Sequence, residues 1–351
     1  MSLSFISATE VLTRLHEFDT IIDARTEAEF DEDRLPSAVN WPTLTNEERI
    51  VVGTMYKQTN QFEAKKRGAA MAARNIASHI EREVIAKPKD WKPLAYCWRG
   101  GKRSGSLSLV LDQIGFKATL MEGGYKAFRA AVVADTPIQV NRLHFRVVCG
   151  TTGSGKTRLL HALSAQGAQV LDLEGLANHR SSVLGAIPGS PQPSQKRFDT
   201  LVWNALRGFD ASRPVYVESE SKKVGNVAIP AALVGRMRES PCINLGLPLE
   251  ERIELLMEDY DFFVQDRAFF CLRLEALTEA RGKVVVDGWK AQVMNGGVRA
   301  VVAELLSLHY DPVYLQSIQR NFVHYANSVV AQAPDRSELT LRRVAQTLLQ
   351  E

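Results

Sequence analysis

The chain has 351 residues, 45% of them hydrophobic and 24% charged, with 43 Lys and Arg against 40 Asp and Glu for a formal charge of +3. That length holds two ordinary domains, and the near balance of charge excludes a uniformly basic surface, so any nucleic-acid contact must come from local patches. The cysteines, at 97, 149, 242 and 271, follow no CxxC or Cys/His metal spacing, and no basic leader or run of about 18 apolar residues occurs, so a cytoplasmic protein with no metal site and no membrane contact is expected.

Residues 20–24, Thr-Ile-Ile-Asp-Ala, read as a buried strand ending on Asp23 and Arg25. A polar pair at a strand's C-terminal end suits an open parallel sheet, where the loops on that edge build the site. A short polar helix over residues 27–34 and a turn over 35–42 into another strand continue the α/β alternation. Residues 61–84 read as a helix with Ala and Met on one side and Lys65, Lys66, Arg67, Arg74 and Arg82 as cations. Those charges form either a solvated face or a contact for an RNA backbone. Gly68 beside them is a point of close backbone approach or a helix irregularity.

The stretch Tyr96-Cys97-Trp98-Arg99-Gly100-Gly101-Lys102-Arg103-Ser104 lies between the apolar runs 93–96 and 107–111, which predicts a strand, a tight loop and a helix. Loop N–H groups, a helix N-terminus and the cations Arg99, Lys102 and Arg103 all favour a thiolate, so Cys97 is the candidate nucleophile. Ile22-Asp23-Ala24-Arg25, Glu29-Phe30 with Leu35 to Asn40, the Cys97 loop, and Met121-Glu122-Gly123-Gly124-Tyr125-Lys126-Ala127-Phe128 together resemble, in order, the landmarks of rhodanese domains. The resemblance implies a parallel-sheet domain over residues 1–136, with a helical insertion at about 43–89 and a loop cysteine that carries sulfur or selenium. One departure stands out: five residues separate Cys97 from Arg103, where the usual sulfurtransferase loop has four. That length resembles phosphatase and arsenate-reductase loops, whose wider ring of N–H groups holds an oxyanion.

Asp135-Thr136-Pro137-Ile138 predicts the end of a helix and a domain boundary, because proline stops helical continuation. The second domain, 137–351, opens on an extended segment, 143–149, followed by Gly150-Thr151-Thr152-Gly153-Ser154-Gly155-Lys156-Thr157 and a helix. This is the G-x-x-x-x-G-K-[ST] phosphate loop in its strand–loop–helix setting. Gly150, Gly153, Ser154 and Gly155 shape the cradle, Lys156 meets the terminal phosphates and the Thr157 hydroxyl offers a ligand to Mg2+. Cys149 reads as a small buried strand residue. Apolar segments at 170–174, 214–218 and 242–245 are further strands, and Asp172 and Glu218 at their ends either hold magnesium or cap the next helix. Residues 179–197 read as a basic, proline-broken substrate loop, 219–223 as solvent-exposed, and the chain from Leu249 onward as mostly helical.

The pairing of the two halves resembles the tRNA 2-selenouridine synthase family. It implies an α/β protein, a rhodanese-like domain followed by a P-loop NTPase-like domain, acting on tRNA with 2-thiouridine at the wobble position. Geranyl diphosphate would alkylate the sulfur, and selenium from selenophosphate would then replace the S-geranyl group. Cys97 would handle selenium, with Arg99 and Arg103 stabilising selenophosphate, and an enzyme supplying selenophosphate would be a partner. No tightly bound cofactor is implied. Whether the Gly150–Thr157 loop takes geranyl diphosphate, a nucleotide or tRNA phosphate stays open at this level. Two other readings compete: a phosphatase or arsenate-reductase-like enzyme using the Cys97–Arg103 cradle, and a nucleotide-regulated tRNA-binding module with an inert first domain.

Overall fold

A computed structural model describes residues 3–180 and 185–350. The chain divides into two compact units, Met1–Thr136 with Pro193–Asn204, and Pro137–Gln192 with Ala205–Glu351.

The first unit is built on β1 (Ser4–Ile6), β2 (Thr20–Asp23), β3 (Ala38–Asn40), β4 (Pro93–Tyr96) and β5 (Thr119–Met121), a parallel sheet in the order β1-β5-β4-β2-β3. All of β4 is buried, as a central parallel strand covered on both faces must be. Side-chain alternation sends Leu94 and Tyr96 to one core with Val11, Met121 and Phe128, and Ala95 and Cys97 to the other with Ile22, Leu107 and Leu111. Three helices open on reciprocal capping boxes, Ser7 with Glu10, Thr26 with Glu29 and Thr45 with Glu48, each satisfying two otherwise orphaned N–H groups. The insertion is a pair of helices, Asn46–Gln58 and Gln61–His79, followed by a π-helical turn, Ile80–Val84. Gly68 lies inside the second helix, where an added Cβ would come within 3.2 Å of Val52. Its lack of a side chain therefore lets the two helices pack closely.

Proline does not end the helix at 135–138: the helix Gly124–Asn141 runs through Pro137. The missing N–H costs that turn one hydrogen bond, while the Thr136 hydroxyl donates to the Val132 carbonyl at 2.7 Å in the turn before it. Residues 193–204 pack into the first unit through Trp203, fully buried against Phe128.

The second unit carries β6 (Phe145–Cys149), β7 (Gln169–Leu171), β8 (Val215–Glu218), a hairpin of β9 (Lys223–Val224) and β10 (Val227–Ala228), β11 (Cys242–Gly246) and β12 (Val329–Gln332). Its main sheet is parallel in the order β12-β11-β6-β8-β7, so β6 is central and the loop after it opens where strand order changes direction. The strand expected over 170–174 stops at Leu171, because Asp172 caps a helix, Leu173–Ala177. The C-terminal third is helical except for β12, whose four residues lack a signal strong enough to stand out among helices. Ser219 and Glu220, expected at the surface, are buried. Among the described residues no helix is long and apolar enough to cross a membrane.

Candidate active sites

Cys97 leaves the C-terminal end of β4 and is itself buried, with the Gly101 N–H donating to its Sγ at 3.2 Å. The helix Lys102–Ile114 begins immediately after, with no side chain capping it. Its unsatisfied N–H groups and partial positive charge are therefore left for whatever the loop holds. Three glycines shape this cradle. Gly100, Gly123 and Gly124 all have left-handed φ, and a Cβ on Gly124 would sit 2.2 Å from the Cys97 carbonyl oxygen and 2.4 Å from the Gly100 nitrogen. The segment after β5 then locks the loop, as Tyr125 N–H donates to the Cys97 carbonyl at 2.7 Å and Lys126 N–H to the Trp98 carbonyl at 3.0 Å.

The loop cations divide. Arg103 forks onto Glu29, with contacts of 2.6 and 3.2 Å, so its guanidinium fixes the start of the helix. Arg99 and Lys102 are exposed on the loop and are the cations open to an incoming anion. Burial opposes ionisation of Glu29, but the bonds from Arg103 outweigh it and hold the carboxyl below its usual range. Glu29 was legible as the closing glutamate of a T-x-x-E capping box, not as the partner of Arg103.

Asp23 and Arg25 are fully buried and paired at 2.6 Å. Arg25 also donates to the Asp33 carbonyl at 2.6 Å and lies over the Tyr125 ring at 4.1 Å. Asp33 in turn accepts from Tyr125 at 2.8 Å and Thr200 at 2.9 Å. This pair thus belongs to a buried polar network under the sheet edge, in which Arg25 Nη1 alone of the guanidinium nitrogens has no partner among the described residues, and the network fixes the segment behind the Cys97 loop.

In the second unit, Gly153 and Gly155 adopt left-handed φ and turn the Gly150–Thr157 loop into the helix Lys156–Ala165. Lys156 donates to the Gly150 carbonyl at 2.7 Å, and Thr157 donates to Glu174 at 2.9 Å. Gly150 N–H donates to the Tyr314 hydroxyl at 2.7 Å, and Arg252 grips the Thr152 carbonyl at 2.7 and 2.9 Å while pairing with Asp311. Tyr314, Arg252 and Glu174 escaped sequence reading because they reach the loop from distant segments. Ser154 is buried and its hydroxyl has no partner among the described residues.

Glu218 ends β8 beside the loop, 1% exposed, accepting the Glu174 N–H at 2.9 Å on one oxygen while the other has no partner among the described residues. Burial first, then Glu220, Glu174 and Asp172, push its carboxyl well above the usual range. Asp172 instead accepts the Gly175 N–H at 2.7 Å as a helix cap. Cys149 is buried in β6. Next to Thr152 opens an apolar slot lined by Leu256, Tyr260, Phe263, Phe270, Leu305 and Leu306. One wall comes from a π-helical turn, Leu305–Tyr310, a deformation frequent at functional sites.

The basic loop expected over 179–197 is partly helix, since Gln195–Arg207 begins inside it; residues 181–184 lie outside the described residues.

A family profile described as the tRNA 2-selenouridine synthase AAA domain matches residues 143–277, and one for the rhodanese-like domain matches 7–131. The tRNA 2-selenouridine synthase of Sulfurovum sp. (strain NBC37-1) is 34% identical over 331 residues, covering 86% of this chain and 89% of the relative. That of Aeromonas salmonicida (strain A449) is 30% identical over 346 residues, covering 90% and 92%. That of Nitrosomonas europaea is 38% identical over 254 residues, covering 71% and 66%.

Proposed function

This chain belongs to the tRNA 2-selenouridine synthase family, and from that premise we propose how its two loops divide the work on tRNA. The enzyme exchanges the sulfur of wobble 2-thiouridine for selenium. The phosphate loop binds geranyl diphosphate, whose C1 is attacked by the thiocarbonyl sulfur with departure of diphosphate. The S-geranyl group is then a leaving group, displaced from the pyrimidine ring by selenium that comes from selenophosphate and is handled at Cys97. The observation that carries this reading is the apolar slot beside Thr152. A wall made mostly of Leu and Phe, with Tyr260 and Tyr310 also lining it, suits a hydrocarbon tail on a diphosphate.

Around the diphosphate, Lys156 supplies charge and the Gly153–Thr157 N–H groups supply the cradle. The donor set fits a magnesium ion: the orphaned oxygen of Glu218 and the Thr157 hydroxyl would hold it. Such an ion would neutralise the departing diphosphate. At the first loop, the helix N-terminus and Arg99 meet the phosphate-like part of selenophosphate while Cys97 Sγ faces its selenium; Arg103 positions the loop through Glu29. The protein that makes selenophosphate is a partner of this loop in the cell, and the cytoplasm is the compartment where tRNA is met.

The test is mass spectrometry of nucleosides from thiolated tRNA incubated with the protein, geranyl diphosphate and selenophosphate. S-geranyl-2-thiouridine should appear with the first donor alone and 2-selenouridine only with both. Selenation at full rate without geranyl diphosphate would overturn the order of steps. Hydrolysis of an aryl phosphate lost in Cys97→Ala, with no change in the tRNA, would favour the phosphatase reading.

A further inference from the structure

The two helices Asn46–Gln58 and Gln61–His79 are unlike the rest of the first unit. The first has no buried residue, and the second buries only Ala64, Ile76 and His79. Ile50 and Phe62 stand 68% and 65% exposed. A helix pair that buries so little gains little from its own packing. Residues 46–79 hold six Lys and Arg against three Glu, which equals the whole formal excess of +3, so the remainder of the chain is balanced.

The outward face of Gln61–His79 is specific in composition. Ala69, Ala70, Ala73 and Ala77 are exposed there, flanked by Lys66, Arg67 and Arg74, also exposed. Solvated helix faces are ordinarily polar; a methyl surface edged with long cations is a flat seat. Lys66 pairs with Glu63 at 2.6 Å, while Arg67 and Arg74 have no acidic partner among the described residues. Seven residues apart, they lie on one side of the helix about 10 Å from each other, spaced to grip separate phosphates. Gly68, packed against Val52, holds the second helix close to the first and so keeps this face outward.

We propose that this helix pair is an RNA-binding arm that seats the tRNA backbone on the alanine face, along the edge marked by Arg67 and Arg74. The proposal rests on tRNA being the substrate. Phosphate contacts position a nucleic acid without reading its sequence, so the arm sets affinity for the tRNA body while the two loops perform the chemistry.

The experiment measures binding of thiolated tRNA to the full chain as a function of salt, with turnover of the same tRNA, for wild type and Arg67→Gln/Arg74→Gln. Loss of two phosphate contacts should lower the slope of log K against log salt by about 1.5 and weaken binding roughly 10-fold near 0.1 M salt. KM for tRNA should rise to match, with kcat and KM for geranyl diphosphate unchanged. Ala70→Glu/Ala73→Glu, which keeps strong helix formers on an exposed face, should weaken binding similarly, so a folding defect in one variant leaves the other to decide. An unchanged slope and KM in both variants overturns the arm while leaving the reaction intact. Failure of wild type to bind or modify tRNA overturns the functional reading itself. Loss of capture of a selenium-supplying protein with tRNA binding unchanged would assign the face to a protein, and also overturns the proposal.

Discussion

The Cys97 loop and the Gly150–Thr157 loop are the same device built twice: a central parallel strand, a glycine-rich turn and a helix N-terminus with no side-chain cap. They differ in where the reactive group and the cation sit. In the first, cysteine is the residue just past the strand and its sulfur receives a loop N–H. In the second, cysteine is the last strand residue and stays in the sheet. Interaction with Cys242 and then burial push the Cys149 thiol far up, and the cation, Lys156, comes at the helix start. Both thiols are buried, one residue apart relative to the strand end, and side chains alternate faces along a strand. One loop sets a thiol against a backbone N–H, and the other sets a lysine ammonium at the helix start.

The sharpest way to break that comparison is to remove each loop's reactive group in turn. Cys97→Ala should abolish selenation to below detection and leave S-geranyl tRNA accumulating. Lys156→Ala should slow geranylation by about 100-fold or more, the scale of removing one preorganised charge-stabilising group, and so starve the second step. Equal loss of geranylation in both variants would dissolve the division of labour. Quantitative nucleoside analysis reads both.

The loops should also differ in how much their glycines matter to folding. At Gly124 a Cβ meets two backbone atoms of the Cys97 loop at 2.2 and 2.4 Å, on a φ of +58°. At Gly155 the φ is +84° but the nearest atom is a Leu255 methyl at 3.4 Å. Left-handed strain alone costs about 1–2 kcal/mol, so Gly155→Ala should lose about that much. Gly124→Ala adds a backbone collision and should lose about 3 kcal/mol or more. Denaturant midpoints of the two variants, measured on the full chain, make the comparison.

A smaller effect separates the loops by pH. The folded chain keeps a proton on Glu218 that the unfolded chain gives up, so its contribution to stability is lost as pH rises from the ordinary carboxylate range toward the raised value. Glu218→Gln fixes the uncharged form. It should raise the melting temperature without magnesium at neutral pH by about 1–2 °C, equivalent to about 1 kcal/mol at this size, and flatten its fall with pH. Magnesium should stabilise wild type increasingly as pH rises and leave the variant unchanged. A variant still stabilised by magnesium would remove Glu218 from that site.

Much of this was legible in the sequence because both loops are local. Cys97 with Gly100, and Gly150, Gly153, Gly155, Lys156 and Thr157, each lie within eight or nine consecutive residues that follow a largely apolar strand, whereas Gly123 and Gly124 reach the Cys97 loop from after β5. What could not be read were partners brought from far away: Glu29 to Arg103, Tyr314 to Gly150, Arg252 to Thr152. Pro137 misled because a proline's local rule was outweighed within a long helix. Asp172 and Glu218 looked equivalent as acids at strand ends; burial and an unpartnered oxygen distinguish them, and neither is written in the residues alongside.

The mildest test concerns the carboxylates that brace each loop from outside, Glu29 on Arg103 and Glu174 on Thr157. Both act through another residue, so each should tune one step. The Glu29 carboxyl is held below its usual range, so its stabilisation is present above the ordinary carboxylate value and disappears as pH falls through the depressed one. With side chains 17% and 26% exposed, the pair is partly screened, and Glu29→Gln should cost about 1 kcal/mol or less at neutral pH. The loss should shrink in acid, where the wild-type carboxyl is protonated too. Selenation should slow a few-fold at unchanged KM for tRNA, with geranylation untouched, and Glu174→Gln should give the opposite pattern. If either variant slowed both steps equally, the two loops would share a bracing network, and the separation drawn from their local geometry would fail.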